Sequence, residues 1–474
     1  MTIQFDQIPA SLRRPGKYLE FNTRLAVRGL PENRQKLLVI GQKLAAGSQD
    51  PLEVVQIAGE DISNAYFGRG SILALACSAA LNANRYVDLW AIAQDDAGAA
   101  VAAAGDITFT NAATGAATLS IWIGNQKVDV LVETDDTATE IAAAVVAEMT
   151  TAKQPDLPVT AAVNGGDDTQ VDLTAKNKGT LGNEIGIVVT WSSDVTTSAA
   201  ITAMASGATD PDIQDALDVI FPEQYDLVVS AYPDSTNLGK LDTHLEDVAG
   251  ALEQREGLGL FATTGTLTAA TTLADALNSG FLSGGWLEAT KSLSYEVAAA
   301  YASMIAFEED PARPLNTLEL AGIDPPAVGD RPGGTERESA LHNGVTPLLV
   351  GSGEDVAIDR AITTYTKDAQ DVEDPSLLDI TTMRTLFYVR VACRQRIALR
   401  FPREKVTEKT PEKVRSELLD VMYLIEDAEI IENVDTWKED LVCEKVPGGR
   451  VNAKIPTDVV EGLHVFAGRI DLIL

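Results

Sequence analysis

Leu37-Leu38-Val39-Ile40-Gly41, residues 71–83 (SILALACSAALNA) and Val87-Asp88-Leu89-Trp90-Ala91-Ile92 decide the fold class. The first is a short apolar run stopped at a glycine, the pattern of a strand buried on both faces. The second follows the turn Gly68-Arg69-Gly70 and carries Ala and Leu at helical spacing. The third reads as a strand again. Strand, helix, strand in that order predicts an α/β layer. The same texture resumes at Pro211, with strands expected at 225–230 and 259–262 and helices at 238–255, 273–277 and 295–307. These four strands are expected to share one sheet, which requires residues 97–210 to leave and return at one edge.

Between 97 and 207 the composition shifts to Ala, Thr, Gly and Asp with few basic residues. Alternating runs such as Thr118-Leu119-Ser120-Ile121-Trp122-Ile123 and Val128-Asp129-Val130-Leu131-Val132 predict half-buried strands. Asp135-Asp136-Thr137 is a cap signal for a helix over 138–149, and further strands are expected at 158–163, 170–174 and 185–191. This stretch reads as a small, acidic, β-rich domain inserted into the first one. A Pro/Gly-rich segment at 324–334 marks the next boundary. Beyond it come a helix at 336–343, strands at 346–350 and 355–365, long helices at 377–400 and 411–428, and a terminal strand with Ile470, Leu472 and Leu474 on one face. The expected architecture is thus multidomain, α/β and α+β. It comprises an extended N-terminal arm (1–22), a discontinuous α/β core (23–96 with 211–330), the insertion (97–210) and a C-terminal α+β domain (331–474).

The chain has 474 residues and a formal net charge of −33, from 70 acidic and 37 basic residues. A nucleic-acid binder needs basic surface to displace counterions from phosphates, so nucleic acid is excluded as a general partner, and an anionic membrane is disfavoured. The excess acid reads as solubility through self-repulsion, or as protection against mis-registered packing at high copy number. Cys77, Cys393 and Cys443 are widely separated and form no metal or redox spacing, which suits a reducing cytoplasm. The first residues carry no basic and apolar regions of a signal peptide, and no apolar run is long enough to span a bilayer.

A catalytic constellation is not legible. His244, His342 and His464 are scattered, with no HxxxH or HExxH spacing. No phosphate-cradling GxxxxGK[ST] loop occurs. Gly257-Leu258-Gly259 precedes a strand instead of opening a helix, and Gly351-Ser352-Gly353 lies between two expected strands as a hairpin turn. No catalytic residue, cofactor or metal ligand is assigned. One cluster departs from the acidic background: residues 386–403 (LFYVRVACRQRIALRFPR) are basic and helical. At about 100° per residue, Arg390 and Arg394 share one face, while Arg396, Arg400 and Arg403 gather on another. The cluster reads either as intramolecular pairing with nearby carboxylates or as a contact strip for an acidic partner.

Arg14-Pro15-Gly16-Lys17-Tyr18-Leu19-Glu20-Phe21, Leu37-Leu38-Val39-Ile40-Gly41-Gln42 and Tyr66-Phe67-Gly68-Arg69-Gly70-Ser71 resemble the N-terminal half of Mu-like contractile phage tail sheath proteins. Asn343-Gly344-Val345-Thr346-Pro347-Leu348, Ile362-Thr363-Thr364-Tyr365-Thr366 and the helix at 390–403 resemble the C-terminal half. The similarity covers most of the chain except 97–210. It implies a non-enzymatic virion subunit, assembled in the host cytoplasm, that stacks as hexameric rings around a tail tube and contracts to drive the tube through the host envelope. Baseplate and tail terminator proteins are the further implied partners. It also implies terminal arms that add strands to a neighbouring subunit, here around Pro15, Gly16, Tyr18, Glu20 and Phe21 and around Ile470, Leu472 and Leu474. By the same resemblance the arginine helix is the candidate for touching the tube. The sheath of an R-type bacteriocin or another contractile injection machine is the nearest alternative; an α/β hydrolase or a surface-binding structural protein is more distant.

Overall fold

The computed structural model describes residues 29–150 and 152–473. The chain divides into two units: Met1–Glu32 with Tyr388–Val460, and Asn33–Phe387 with Glu461–Leu474. Each is described by itself.

The larger unit is built on an eight-stranded sheet. Its strand order is Val356–Ile358, Thr346–Val350, Leu282–Trp286, Leu258–Thr263, Leu227–Ser230, Lys36–Gln42, Asp88–Gln94, Val54–Gln56. The six inner strands are parallel and each edge strand is antiparallel to its neighbour. The apolar run Leu37 to Ile40 is fully buried and pairs with Leu227 to Ser230 on one side and Leu89 to Ile92 on the other. Parallel strands need crossovers that cover both faces, which explains the unbroken apolar reading of these segments.

Helix Ile72–Ala83 starts where the Ser71 hydroxyl accepts the N–H of Ala74, and it packs against helix Ser294–Phe307. The latter is buried at twelve successive positions from Ser294 to Ile305. The strand Leu282–Trp286, of sequence LSGGW, was not expected. A Cβ at Gly284 would lie 2.5 Å from the Phe261 ring, so only glycine lets the two strands stand at ladder distance there.

Residues 104–205 form two further sheets. One has the order Ser198–Ala205, Ala104–Thr110, Gln170–Ala175, Val159–Val163; the other Gln126–Val132, Ala117–Ile123, Ile187–Trp191. Helix Ala138–Glu148 begins with a capping box between Thr137 and Glu140. The chain leaves and returns side by side, with Val101 and Ala208 exchanging both backbone hydrogen bonds (3.0 and 3.1 Å). Several polar contacts then fasten these sheets to the large one. Ile72 N–H donates to Asn177 Oδ1 (3.1 Å), Asn177 Nδ2 donates to the Lys43 carbonyl (2.9 Å), and Arg69 grips Asp156 with two nitrogens (2.8 and 2.6 Å).

Two expected strands depart from the reading. Of 355–365 only Val356–Ile358 is strand; the β-branched run that follows turns its threonines onto the backbone instead. Thr363 Oγ1 donates to the Leu377 carbonyl (2.7 Å) and Thr364 Oγ1 accepts the Ser279 N–H (2.9 Å). Residues 470–473 join no sheet among the described residues; Ile470, Leu472 and Ile473 are 99%, 83% and 91% exposed. Alternation alone makes no strand without a partner ladder.

Candidate assembly interface

In the smaller unit, Pro411 opens helix Thr410–Asp427, whose Leu418, Val421, Met422 and Ile425 form one buried stripe at helical spacing. The arginine helix Ile380–Arg400 brings its C-terminal part into this unit. Arg396 is 5% exposed, and its Nη1 lies 2.6 Å from Asp420 and 3.3 Å from Glu417. Arg400 Nε reaches the same Glu417 carboxylate at 3.2 Å. Two cations so share two carboxylates at a half-buried site, where such pairs act with less solvent screening than on an open surface.

Arg415 Nε donates to the Leu441 carbonyl (2.8 Å) and its Nη2 to that of Lys438 (2.5 Å), fixing the approach to a hairpin. The hairpin pairs Val442–Val446 with Arg450–Lys454 through a turn containing Gly448 and Gly449, both at positive φ (93° and 81°). Among the described residues no third strand joins it. The hairpin packs on helix Thr410–Asp427, which supports it, while its outer N–H and C=O groups are a template for further strands.

The five arginines expected to act together therefore divide. Arg396 is inside and Arg400 half-buried, both spent on Glu417 and its surroundings, while Arg390, Arg394 and Arg403 are exposed. Ile470 and Leu472 are exposed; Leu474 and the arm positions Pro15, Gly16, Tyr18, Glu20 and Phe21 lie outside the described residues.

Sequence reasoning missed Arg384, on the part of the same helix that belongs to the larger unit. It is 3% exposed, and its Nη2 donates to the Glu308 carbonyl while Nε and Nη1 find no acceptor among the described residues. Burial pushes its pKa down to about 10, opposed by the nearby charges of Glu308 and Asp310. The available signal was its position two turns before the surface arginines, in the apolar stretch Met383 to Tyr388.

Two of the scattered histidines, His342 and His464, line one groove of about 340 Å³ with Arg337 and Arg360. Both arginines are already compensated: Arg337 by Asp359 (2.6 Å) and Arg360 by a two-pronged contact with Asp379 (2.9 and 2.7 Å). Burial and then the Arg360 charge hold His464 below the usual imidazole range, in spite of Asp379 and Glu461. His244 sits apart on helix Ser235–Ala249, against the Phe221 ring. Among the described residues no group of three His, Cys, Asp or Glu side chains could hold a metal ion, and no helix is long and apolar enough to cross a membrane.

The smaller unit thus carries an open-edged hairpin and braced arginines, and the larger unit an exposed apolar segment at 463–473. The comparisons with known proteins identify the family. Residues 206–364 match the phage tail sheath protein central domain and 372–473 the phage tail sheath C-terminal domain. Over its full length the chain is 33% identical to the full-length Mu-like prophage FluMu tail sheath protein of Haemophilus influenzae.

The chain belongs to the phage tail sheath family.

The sheath fold extends to two solved assemblies. A chain of the anti-feeding prophage baseplate matches with a TM-score of 0.51 at 10% identity, over 98% of this chain and 100% of that one. A chain of an extracellular contractile injection system, in a sheath complex in its contracted state, matches with a TM-score of 0.50 at 10% identity, over 98% of each. The sheath chain is thus a structural subunit of a contractile tail, and its family is not a class of enzymes.

Proposed function

We propose that this sheath chain stacks as hexameric rings around a tail tube, and that neighbouring copies are tied together by exchange of their terminal segments. The supporting observation is the pairing of an unmet donor and an unmet acceptor of strands. Residues 463–473 expose Leu463, Val465, Phe466, Ile470, Leu472 and Ile473, and the hairpin Val442–Val446/Arg450–Lys454 has open outer edges. A strand added to such an edge gains affinity from backbone hydrogen bonds and register from alternating side chains. The arm around Pro15, Gly16, Tyr18, Glu20 and Phe21 is the second such segment, and Leu474 completes the first.

In this proposal 331–474 makes the lattice, 23–96 with 211–330 is the discontinuous core, and 97–210 is an insertion facing outward. Exposed Arg390, Arg394 and Arg403 touch the tube, while Arg396 and Arg400 brace their helix through Glu417 and Asp420. Baseplate and tail terminator proteins close the two ends, and assembly takes place in the host cytoplasm before the particle is released. A flexible tie lets rings rotate and widen while staying linked, so contraction needs no nucleotide site.

Negative-stain electron microscopy of the purified chain, with and without the tail tube protein, tests this. Hollow tubes or stacked rings are expected from the parent and not from Ile470→Asp/Leu472→Asp, with the circular dichroism spectrum unchanged. Tubes from both proteins would remove the C-terminal segment from the linkage.

A further inference from the structure

The two units differ sharply in net charge. Met1–Glu32 with Tyr388–Val460 carries 18 basic and 17 acidic residues. Asn33–Phe387 with Glu461–Leu474 carries 19 basic and 53 acidic residues. The acidic excess of the whole chain therefore resides in one unit, and the unit that holds the open hairpin is close to neutral. Within the neutral unit cations and carboxylates are matched at short range: Arg396 and Arg400 with Glu417 and Asp420, Lys413 with Glu404 (3.0 Å), Lys438 with Asp435 (2.9 Å), Lys445 with Glu408 (2.5 Å).

From this segregation we infer that the larger unit is an electrostatic barrier to polymerisation, lowered by diffuse screening cations, while the neutral unit supplies the attraction between copies. The inference rests on the assembly reading above and adds what controls it. A neutral surface can approach its own copy without a Coulomb cost, whereas two strongly acidic bodies repel until salt screens them. Screening is steep in the relevant range: the Debye length falls from about 30 Å at 0.01 M salt to about 8 Å at 0.15 M. At low ionic strength each larger unit feels the whole charge of its neighbours; at cellular ionic strength it feels only the nearest carboxylates. The described residues contain no chelating cluster, so the cations act as an atmosphere and not as bound ligands.

The test measures the critical concentration of the full-length chain for tube formation, by light scattering and electron microscopy, across NaCl and MgCl2 series matched in ionic strength. The critical concentration is expected to fall roughly tenfold between 0.01 and 0.15 M salt, with the two series superimposing. A variant with Asp168→Lys, Asp194→Lys, Asp215→Lys, Glu223→Lys and Glu246→Lys, all exposed and with no side-chain hydrogen bond among the described residues, is expected to polymerise at low salt with a shallower dependence. Tubes that form equally at every salt concentration, or that dissolve as salt rises, would overturn the barrier. Magnesium acting in stoichiometric amounts would overturn the diffuse mechanism in favour of a bound ion. Absence of tubes from either protein at any salt would instead sink the assembly reading.

Discussion

Two helices show how differently the units are finished. Helix Ser294–Phe307 is buried at every position from Ser294 to Ile305, so its own chain supplies all its surroundings. Helix Thr410–Asp427 buries one stripe and leaves the rest to solvent or to another molecule. The strands follow suit: Leu37 to Ile40 lie inside six parallel strands, while the hairpin at 442–454 has two strands among the described residues. A self-contained unit derives its stability from burial; an open one keeps unsatisfied edges that only association can cover. The sheath chain therefore joins a finished core to an unfinished connector, and perturbations should read differently in the two.

The largest effect is expected in the core. Leu38→Ala removes a fully buried side chain with neighbouring strands on both sides and should cost about 3–4 kcal/mol in denaturant unfolding. Hydrogen exchange should quicken in the strands Lys36–Gln42 and Leu227–Ser230 while Thr410–Asp427 keeps its protection. Equal loss in both would break the comparison, because the units would then unfold as one. Next comes Arg396→Ala, which leaves Glu417 and Asp420 without their shared cation. Both carboxylates are partly reached by solvent (26% and 31%), so the cost should be about 2 kcal/mol and confined to exchange in Tyr388–Val460. Unchanged protection in Thr410–Asp427 would show that the ion pairs do not brace it.

The same contrast explains what could be read from the chain alone. The runs at 37–40 and 225–230, and the helices at 71–83 and 295–307, were legible because burial on one or all sides imposes a period that a single sequence displays. Strand Leu282–Trp286 was not, since its glycines are explained by the Phe261 ring pressing on Gly284, a contact between separate strands. Strands Ala104–Thr110 and Ser198–Ala205 pair across nearly a hundred residues; the first alternates over Asp106 to Thr110 and was overlooked, while the second carries no apolar alternation. At the interface, the basic character of 390–403 was plain. The split between buried Arg396 and exposed Arg390 depends on where Glu417 and Asp420 lie on the next helix, which no local pattern reports. Arg384 was hidden for the opposite reason: a charge among apolar residues reads as surface until burial is seen.

The smallest of these effects is the most specific to the finished unit. Glu296, at the start of its buried helix, accepts the Leu293 N–H (2.8 Å) and the Asn125 amide (3.1 Å). Burial pushes its pKa from 4.5 up to about 7, the two hydrogen bonds pulling the other way and the Asp324 charge adding to the rise. Glu184, bonded to Ser294 at 2.6 Å, is raised by burial as well. A carboxyl whose pKa rises on folding stabilises the fold while protonated; that contribution is complete below its unfolded value and is lost as pH climbs through about 7. Core stability should therefore decline from about pH 5 to pH 8, and Glu296→Gln should flatten the decline. Glutamine keeps an acceptor for Leu293 but turns an N–H toward Asn125, which offsets part of the benefit. The net gain should be about 1 kcal/mol at pH 8 and none at pH 5, read from denaturant midpoints at each pH. A variant that follows the parent's pH dependence would mean that Glu296 stays ionised through its hydrogen bonds, and that the buried helix tolerates a charge.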